Sequence, residues 1–367
     1  MTVHDTARRQ FASSSLNFTA LVNLIHTVNS RKQTDGVTLV YTKEEEMVLE
    51  RIYFILGNLT ATNDRNRNTL FTTSDLTNIL MSGSLENRMR NYPQMAIKWC
   101  RVVANMTIHA PCGKEWAHNE KLYKAVQQAL EKTIDHDEDD DGKLHQEELK
   151  LNLISVVTNL AFYCTLPTSC HFQLPPVECA QLVELLTPSL YHSNPEAVLE
   201  TCRAFGNLSR LSSFLTAMFN HHVFEVLEVL LEHRQADIIL TSCGVFMNAA
   251  MIPSLQKTML ENKSLLTQLV QLVRTFGFKN WTICSMACKT LSNVLGLEKE
   301  MEDEKWMRIL ENTLEELLHA VGEDDLDEDE KAFTRVARVL QHTLQGSNIS
   351  LLSPLVPLED DDNNELE

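Results

Sequence analysis

The sequence predicts an all-α solenoid built from stacked helical repeats, and two observations predict it. First, an asparagine recurs in similar apolar segments at steps of 47, 54, 48, 41 and 45 residues. A motif that returns every ~40–47 residues is typical of helical repeat arrays. Second, 44% of the 367 residues are hydrophobic, only 7% are aromatic, and the alternation typical of strands is hard to find. The recurring residues are Asn58, Asn105, Asn159, Asn207, Asn248 and Asn293.

Each asparagine is predicted to lie late in a long helix, and the helix that contains Asn207 is the clearest. Asn194 can cap its start, Pro195 suits the first helical position and Glu196 suits the first turn. Apolar residues then recur at helical spacing and indicate a buried face. Asn207 lies on the other face of this helix.

Shorter helices precede the long ones. A long helix after one or two shorter ones is the unit of an armadillo-type repeat, and no single unit can bury its apolar face alone. We therefore predict one armadillo-type solenoid, a right-handed superhelix, over residues 12–346, with helices at 306–321 and 333–344 near its end. The predicted shorter helices are 214–219, 223–231, 255–260 and 265–276.

Several acidic or polar segments are predicted to lie outside the packed helices. Residues 1–11 and the acidic tail 347–367 are predicted to be disordered, and the acidic run 323–330 to be solvated. Residues 135–148 form an acidic insertion loop in this prediction, because the step from Asn105 to Asn159 is long by about one loop.

Charge and cysteine content indicate the class of partner and the compartment. The formal net charge is −18 and the pI is about 5.2, so phosphate backbones and anionic membranes should repel the chain. We expect no nucleic acid and no membrane as partner. The N-terminal residues lack the apolar core of a secretory signal. Nine cysteines, several in apolar helical runs, favour reduced thiols in a cytoplasmic protein.

The asparagines suggest a binding surface. In an armadillo array the third helix of each unit lines the concave face, where an amide can both donate to and accept from an extended peptide. The alternative is that each amide bonds a neighbouring helix and fixes the stacking.

Cations one turn before some of these asparagines indicate a groove for an acidic segment of a protein partner. The alternative is that they pair with nearby acids, as Arg203 can with Glu200. No tryptophan precedes any of the asparagines by one turn, so a basic import signal is not expected. The predicted groove residues are Asn58, Arg101, Asn105, Asn159, Arg203, Asn207, Asn248, Lys289 and Asn293.

The acidic insertion also matches the twelve-residue EF-hand loop that binds calcium. Acids occupy positions 1, 3 and 5, Gly142 occupies position 6 and a glutamate occupies position 12, which suits a cation that prefers oxygen ligands. The alternative is a solvated acidic loop, and the histidine at position 9 is unusual. Calcium is the one cofactor that we consider, and none is required. The predicted ligands are Asp137, Asp139, Asp141, Lys143, His145 and Glu148.

Motifs for catalysis are not found. The sequence contains no phosphate-binding loop of the G-x-x-x-x-G-K-[ST] type and no nucleophile elbow. We predict a non-enzymatic binding protein.

Four blocks of sequence, at 51–67, 198–210, 235–250 and 280–296, are informative together. In this order and approximate spacing they resemble the C-terminal armadillo region of the armadillo repeat-containing protein 2 family. The resemblance implies a non-enzymatic adaptor in the assembly of motile cilia and flagella, which helps to deliver axonemal parts such as radial spokes with intraflagellar transport. It also implies a place in the cilium or flagellum. The blocks are RIYFILGNLTATNDRNR (51–67), VLETCRAFGNLSR (198–210), QADIILTSCGVFMNAA (235–250) and NWTICSMACKTLSNVLG (280–296).

Overall fold

The computed structural model confirms an all-α chain. Its regular structure is helical throughout the part of the chain that it describes, and none of the helices found there is both long and apolar enough to cross a bilayer. The described residues are 10–30, 40–72, 77, 80, 91–133, 140–164 (side chains from 145), 176–296, 305–322 and 326–345.

Seventeen α-helices and one 3-10 helix cover most of these residues, and their order matches the predicted pattern of short and long helices. The 3-10 helix is Thr187–Tyr191. The α-helices are α1 (Ser15–Ser30), α2 (Lys43–Thr60), α3 (Asp64–Thr72), α4 (Pro93–Ile108), α5 (Ala110–Trp116), α6 (Glu120–Lys132), α7 (Asp140–Cys164), α8 (Pro176–Leu186), α9 (Pro195–Leu208), α10 (Ser212–Asn220), α11 (Val223–Leu230), α12 (Ala236–Ala249), α13 (Pro253–Glu261), α14 (Lys263–Phe276), α15 (Trp281–Leu295), α16 (Lys305–Val321) and α17 (Glu328–Leu344).

The helices form two compact units, Met1–Leu227 and Glu228–Glu367. In the first unit, α2 packs on α4, α4 on α7, and α7 on α9; in the second unit, α12 packs on α15 and α15 on α17. We call these seven the ladder helices. Shorter helices pack beside them, such as α5 and α6 against α7, and α13 and α14 against α15. This repeated packing confirms an armadillo-type helical repeat fold.

Side chains of the next helix satisfy the last carbonyl groups of α2. Asn66 Nδ2 donates to the Leu59 carbonyl at 2.7 Å, and Arg67 Nε donates to the Thr60 carbonyl at 2.8 Å. Arg67 Nη2 also donates to the Ala61 carbonyl at 2.7 Å. The carbonyl groups at a helix end lack partners within the helix, so these bonds fix where α2 ends and where α3 lies.

The two internal acidic segments are more helical than the sequence analysis predicts. Helix α7 begins at Asp140, so residues 140–148 of the predicted loop are helical. Helix α17 begins inside the predicted solvated run, because Asp327 and Glu330 form a capping box. Acids in a first turn also interact favourably with the helix dipole. Here they start a helix, whereas we predicted a solvated segment outside the helices.

The described start of the chain also differs slightly from the predicted domain boundary. Gln10 and Phe11 are helical, and the Phe11 ring lies edge-on to the Phe18 ring at 6.3 Å. The packed structure therefore includes residues that we had assigned to the N-terminal tail.

Eight cysteines lie in the described chain, all as free thiols, and seven are buried. Burial raises the pKa of Cys243 to about 12. The hydrogen bond that the Cys288 thiol donates to Cys284, and then burial, raise the pKa of Cys288 well above its ordinary value. A raised pKa leaves little of the reactive thiolate at neutral pH.

We predict that iodoacetamide at pH 8 labels Cys243 and Cys288 in the native chain at least about a hundredfold more slowly than in guanidinium, because their thiolate fraction is small. Peptide mass spectrometry over a time course measures both rates, and the unfolded chain serves as the control. Equal labelling rates in the two states would contradict the buried placement.

We also predict that Gly113→Ala destabilises the chain by about 1–3 kcal/mol through overpacking. A Cβ at Gly113 would overlap the Tyr163 ring and lie 2.6 Å from the Thr107 carbonyl oxygen. The matched control is Gly206→Ala in α9, where a Cβ meets nothing within 4 Å. That variant should be more stable by about 0.5–1 kcal/mol. Urea unfolding followed by circular dichroism gives both values, and a Gly113→Ala midpoint at or above wild type would refute the packing.

Candidate functional site

The recurring asparagines bond one ladder helix to the one before it. Four of the side-chain amides donate to a backbone carbonyl of the preceding ladder helix. The acceptor is in every case the residue immediately before the previous asparagine. The bonds run from Nδ2 of Asn105 to Gly57 (2.9 Å), of Asn159 to Ala104 (3.1 Å), of Asn207 to Thr158 (2.9 Å) and, at a long 3.5 Å, of Asn293 to Met247.

Two of these amides have a second acceptor, which explains a threonine in the motif. Asn105 Nδ2 also donates to Thr60 Oγ1 at 3.3 Å, and Asn159 Nδ2 donates to Thr107 Oγ1 at 3.1 Å. Each threonine lies two residues after an asparagine. The Asn-x-Thr pattern at Asn58 and Asn105 therefore supplies an acceptor for the amide of the next repeat.

Asn58 and Asn248 each follow a residue whose carbonyl accepts from a later asparagine of the same unit. The Asn58 side chain is half-buried and forms no hydrogen bond with another described residue. No asparagine precedes Asn58 in the series. Asn248 holds the equivalent position in α12, and the residue before it, Met247, supplies the acceptor for Asn293. The carbonyl groups of Gly57 and Met247 therefore take part in the stacking.

The amide donors of Asn105, Asn159, Asn207 and Asn293 are thus used in stacking, as the alternative interpretation of the sequence proposed. Their Oδ1 atoms have no hydrogen-bond partner among the described residues, and the four side chains are half-buried. These four residues therefore offer acceptor oxygens to a partner. Contact of these residues with a partner stays a prediction.

Two of the cations on this face have acidic neighbours. Lys98 Nζ lies 3.3 Å from Glu50 Oε1, and Arg203 Nη1 lies 3.5 Å from Glu200 Oε2. The Arg203 side chain is half exposed, so this pair adds little stability. It nevertheless reduces the charge that Arg203 offers to a partner, as the alternative interpretation expected.

Arg101 and Lys289 differ, because neither forms an ion pair with another described residue. The Arg101 side chain lies against Gly57, where a Cβ would be 3.6 Å from Arg101 Cδ. Burial, and then the positive charge of Arg335, lower the pKa of Lys289. Each of these two residues, one in each unit, thus carries positive charge that no described acid neutralises.

Helix α2 adds exposed apolar side chains to the same face. Phe54, one turn before Asn58, is 52% exposed, and Met47, two turns before Phe54, is 50% exposed. Arg51 lies between them and is also exposed. The sequence analysis does not identify Phe54 as an apolar contact site.

Only part of the predicted calcium site lies in the described structure. Asp137 and Asp139 lie outside it, as do the side chains of Asp141 and Lys143. The backbone from Asp140 through His145 and Glu148 is helical, whereas an EF-hand loop turns sharply at its sixth position. No group of three or more metal-binding side chains lies close together in the described ranges. Calcium binding stays a prediction.

A cavity of about 420 Å³ beside α7 was not predicted. Lys150, Ser189 and His192 contribute to its lining, together with Glu147 and Glu148. His192 Nε2 lies 3.6 Å from Glu147 Oε1, and burial lowers the pKa of Lys150. The residues come from three separate segments, so no local sequence pattern indicates the cavity.

We predict that Asn159→Ala lowers the free energy of unfolding by about 1–2 kcal/mol, because the Ala104 carbonyl and the Thr107 hydroxyl lose their donor. Asn159→Asp should be less stable still at pH 7, since a carboxylate would face two acceptor oxygens. Urea unfolding measures both changes.

The matched control for these variants is Ser155→Ala, one turn earlier on the same face of α7. Ser155 is half-buried and forms no hydrogen bond with another described side chain, so its midpoint should stay near wild type. An Asn159→Ala midpoint equal to that of Ser155→Ala would show that the amide does not hold the helices together.

Comparisons with known proteins agree with the repeat fold. No protein-family model matches the chain. The chain is 29% identical to armadillo repeat-containing protein 2 of Mus musculus over 347 residues, which cover 86% of this chain and 38% of the relative. The Homo sapiens protein of that name is 28% identical over 276 residues, or 69% of this chain and 30% of the relative. The chain therefore spans about a third of the length of these relatives.

A solved structure supports the fold alone. An engineered protein determined by the Northeast Structural Genomics Consortium has a TM-score of 0.61 and 15% identity, covering 92% of this chain and 74% of its own. Together with the asparagine ladder, these findings confirm the resemblance found in the sequence. The chain is an armadillo-type repeat protein that is similar, over most of its length, to part of armadillo repeat-containing protein 2.

Proposed function

We propose that this chain is a non-enzymatic protein-binding scaffold that acts as a cargo adaptor in the assembly of motile cilia and flagella. The support for binding is the repeat fold together with the similarity to armadillo repeat-containing protein 2. The ciliary role, the delivery of axonemal components and the ciliary location rest on what the family resemblance implies.

The observation that carries the proposal is the face formed by α2 and α4. Phe54 and Arg101 each lie one turn before the asparagine of their helix, so the ladder register places them at the same level. Phe54 is 52% exposed, and Arg101 has no ion pair within the described chain. An apolar ring beside an uncompensated guanidinium is the composition of a binding hot spot.

The chemistry of this face fits an extended segment with acidic and apolar side chains. Its backbone N–H groups can donate to Oδ1 of Asn105 and Asn159, because only the nitrogens of those amides are used in stacking. A carboxylate can bond Arg101 through charge-assisted hydrogen bonds. An apolar side chain can cover Phe54.

Capture of partners from ciliated cells tests both the ciliary role and the proposed binding face. The tagged chain should recover axonemal or intraflagellar transport components, identified by mass spectrometry. Phe54→Ser and Arg101→Glu should each reduce that recovery at least about tenfold, in line with the loss of a hot-spot contact.

Phe219→Ser is the matched control, because Phe219 is 44% exposed in the same unit but lies on α10, away from the ladder helices. Its recovery should equal that of wild type. Recovery of no axonemal or transport component would reject the ciliary role. Equal recovery with Phe54→Ser and Phe219→Ser would reject this face as the binding surface.

A further inference from the structure

A second charged surface lies in the unit Glu228–Glu367, on α15 and α17. Along α17 the side chains of Lys331, Arg335, Arg338 and His342 follow one another at spacings of four, three and four residues, and all four are exposed. Such spacing places them on one face of a helix. The opposite face of α17 is buried.

The register between α15 and α17 aligns this row with the ladder face. The Trp281 and Phe333 rings lie 4.8 Å apart, and Thr282 Oγ1 donates to Asp329 Oδ2 at 3.3 Å. Further along, Lys289 of α15 is close enough to Arg335 for its charge to lower the lysine pKa. The second member of the row, Arg335, therefore lies near the ladder position that Lys289 occupies.

Negative charge is scarce on these two helices. Residues 281–295 contain Lys289 and no acid, and residues 331–344 contain three lysine or arginine residues and no acid. The acids of α17 lie in its first turn, where each has a local role: Glu328 bonds Lys331, Asp329 accepts from Thr282, and Glu330 closes the capping box.

Neither Lys289 nor Arg335 forms an ion pair with another described residue, and this includes the glutamates of the adjacent helix α16. Lys289 is half-buried, so water stabilises its charge less than it would at an open surface. An anion bound here would restore that stabilisation.

We propose that the acidic segment Glu359–Glu367 of the same chain binds this surface at Lys289 and Arg335. The segment carries six acids in nine residues, which complements the charge of the surface. This inference concerns the second unit and does not depend on the ciliary role.

Geometry and concentration favour the chain's own segment over an acidic partner. The thirteen residues between Gln345 and Glu359 make fourteen Cα–Cα steps and can span up to ~46–50 Å, whereas α17 is only ~25 Å long. The segment can therefore reach any point of the surface. A tether of this length gives an effective concentration in the millimolar range.

The test uses the full-length chain and a full-length variant whose six tail acids are replaced by the matching amides. A fluorescent peptide of sequence LEDDDNNELE, residues 358–367, is titrated into both, and anisotropy reports binding. We expect the peptide to bind the neutral-tail variant at least about tenfold more tightly than the wild-type chain, where the tethered segment competes. Added salt should weaken the binding.

Lys289→Gln and Arg335→Gln, each placed in the neutral-tail variant, should reduce peptide affinity several-fold. The matched control is Arg274→Gln, because Arg274 is exposed on α14 of the same unit. Arg335 is also exposed, so its variant should fold, which circular dichroism can verify.

Three results would overturn the proposal. The peptide could fail to bind the neutral-tail variant, or bind Arg335→Gln as tightly as Arg274→Gln. It could also bind the wild-type chain as tightly as the neutral-tail variant. That last result would leave the surface open to an acidic segment of another protein.

Discussion

The hydrogen bond from an asparagine amide to the carbonyl of the preceding ladder helix is the contact on which the repeat packing depends. It joins residues 46 to 55 positions apart in sequence. One donor meets one backbone oxygen at the same place in each repeat, so the bond fixes both the neighbour and the register. Apolar burial provides most of the packing energy but is not directional, and a one-turn slip would leave half-buried amides and carbonyls unpaired.

The same bond determines which polar atoms of the ladder asparagines a partner can contact. The stacking uses the amide nitrogen and leaves the oxygen, so the ladder presents acceptors. The bond also sets the register between α2 and α4. Phe54 and Arg101, each one turn before the asparagine of its helix, therefore lie at the same height along the two helices. Acceptors alone would attract donors of any kind, but the uncompensated cation adds a preference for carboxylates. An extended acidic segment satisfies both demands, because it carries N–H donors along its backbone and carboxylates on its side chains.

The sequence was sufficient to predict the repeat, the order of short and long helices and the ladder residues, because each depends on local periodicity. Asn194 and Pro195 marked the start of α9 as predicted. The starts of α7 and α17 could not be predicted in the same way, because both fall within acidic runs that are typical of solvated segments. In α17 the helix begins there because Asp327 and Glu330 form a capping box. The choice between stacking and peptide contact could not be predicted, since the acceptor of each amide lies about fifty residues away.

The positive charges on α15 and α17 make stability depend on bound anions, whereas the asparagine ladder does not. An asparagine needs one fixed partner and gains nothing from a distant ion. Lys289 and Arg335 instead repel each other, and burial of Lys289 increases the cost of its charge. Any anion that binds the folded surface, and not the unfolded chain, therefore stabilises the fold by linkage. A tethered acidic segment would supply that stabilisation at every protein concentration. A separate partner would supply it only in proportion to its own abundance, and would first have to displace the tether.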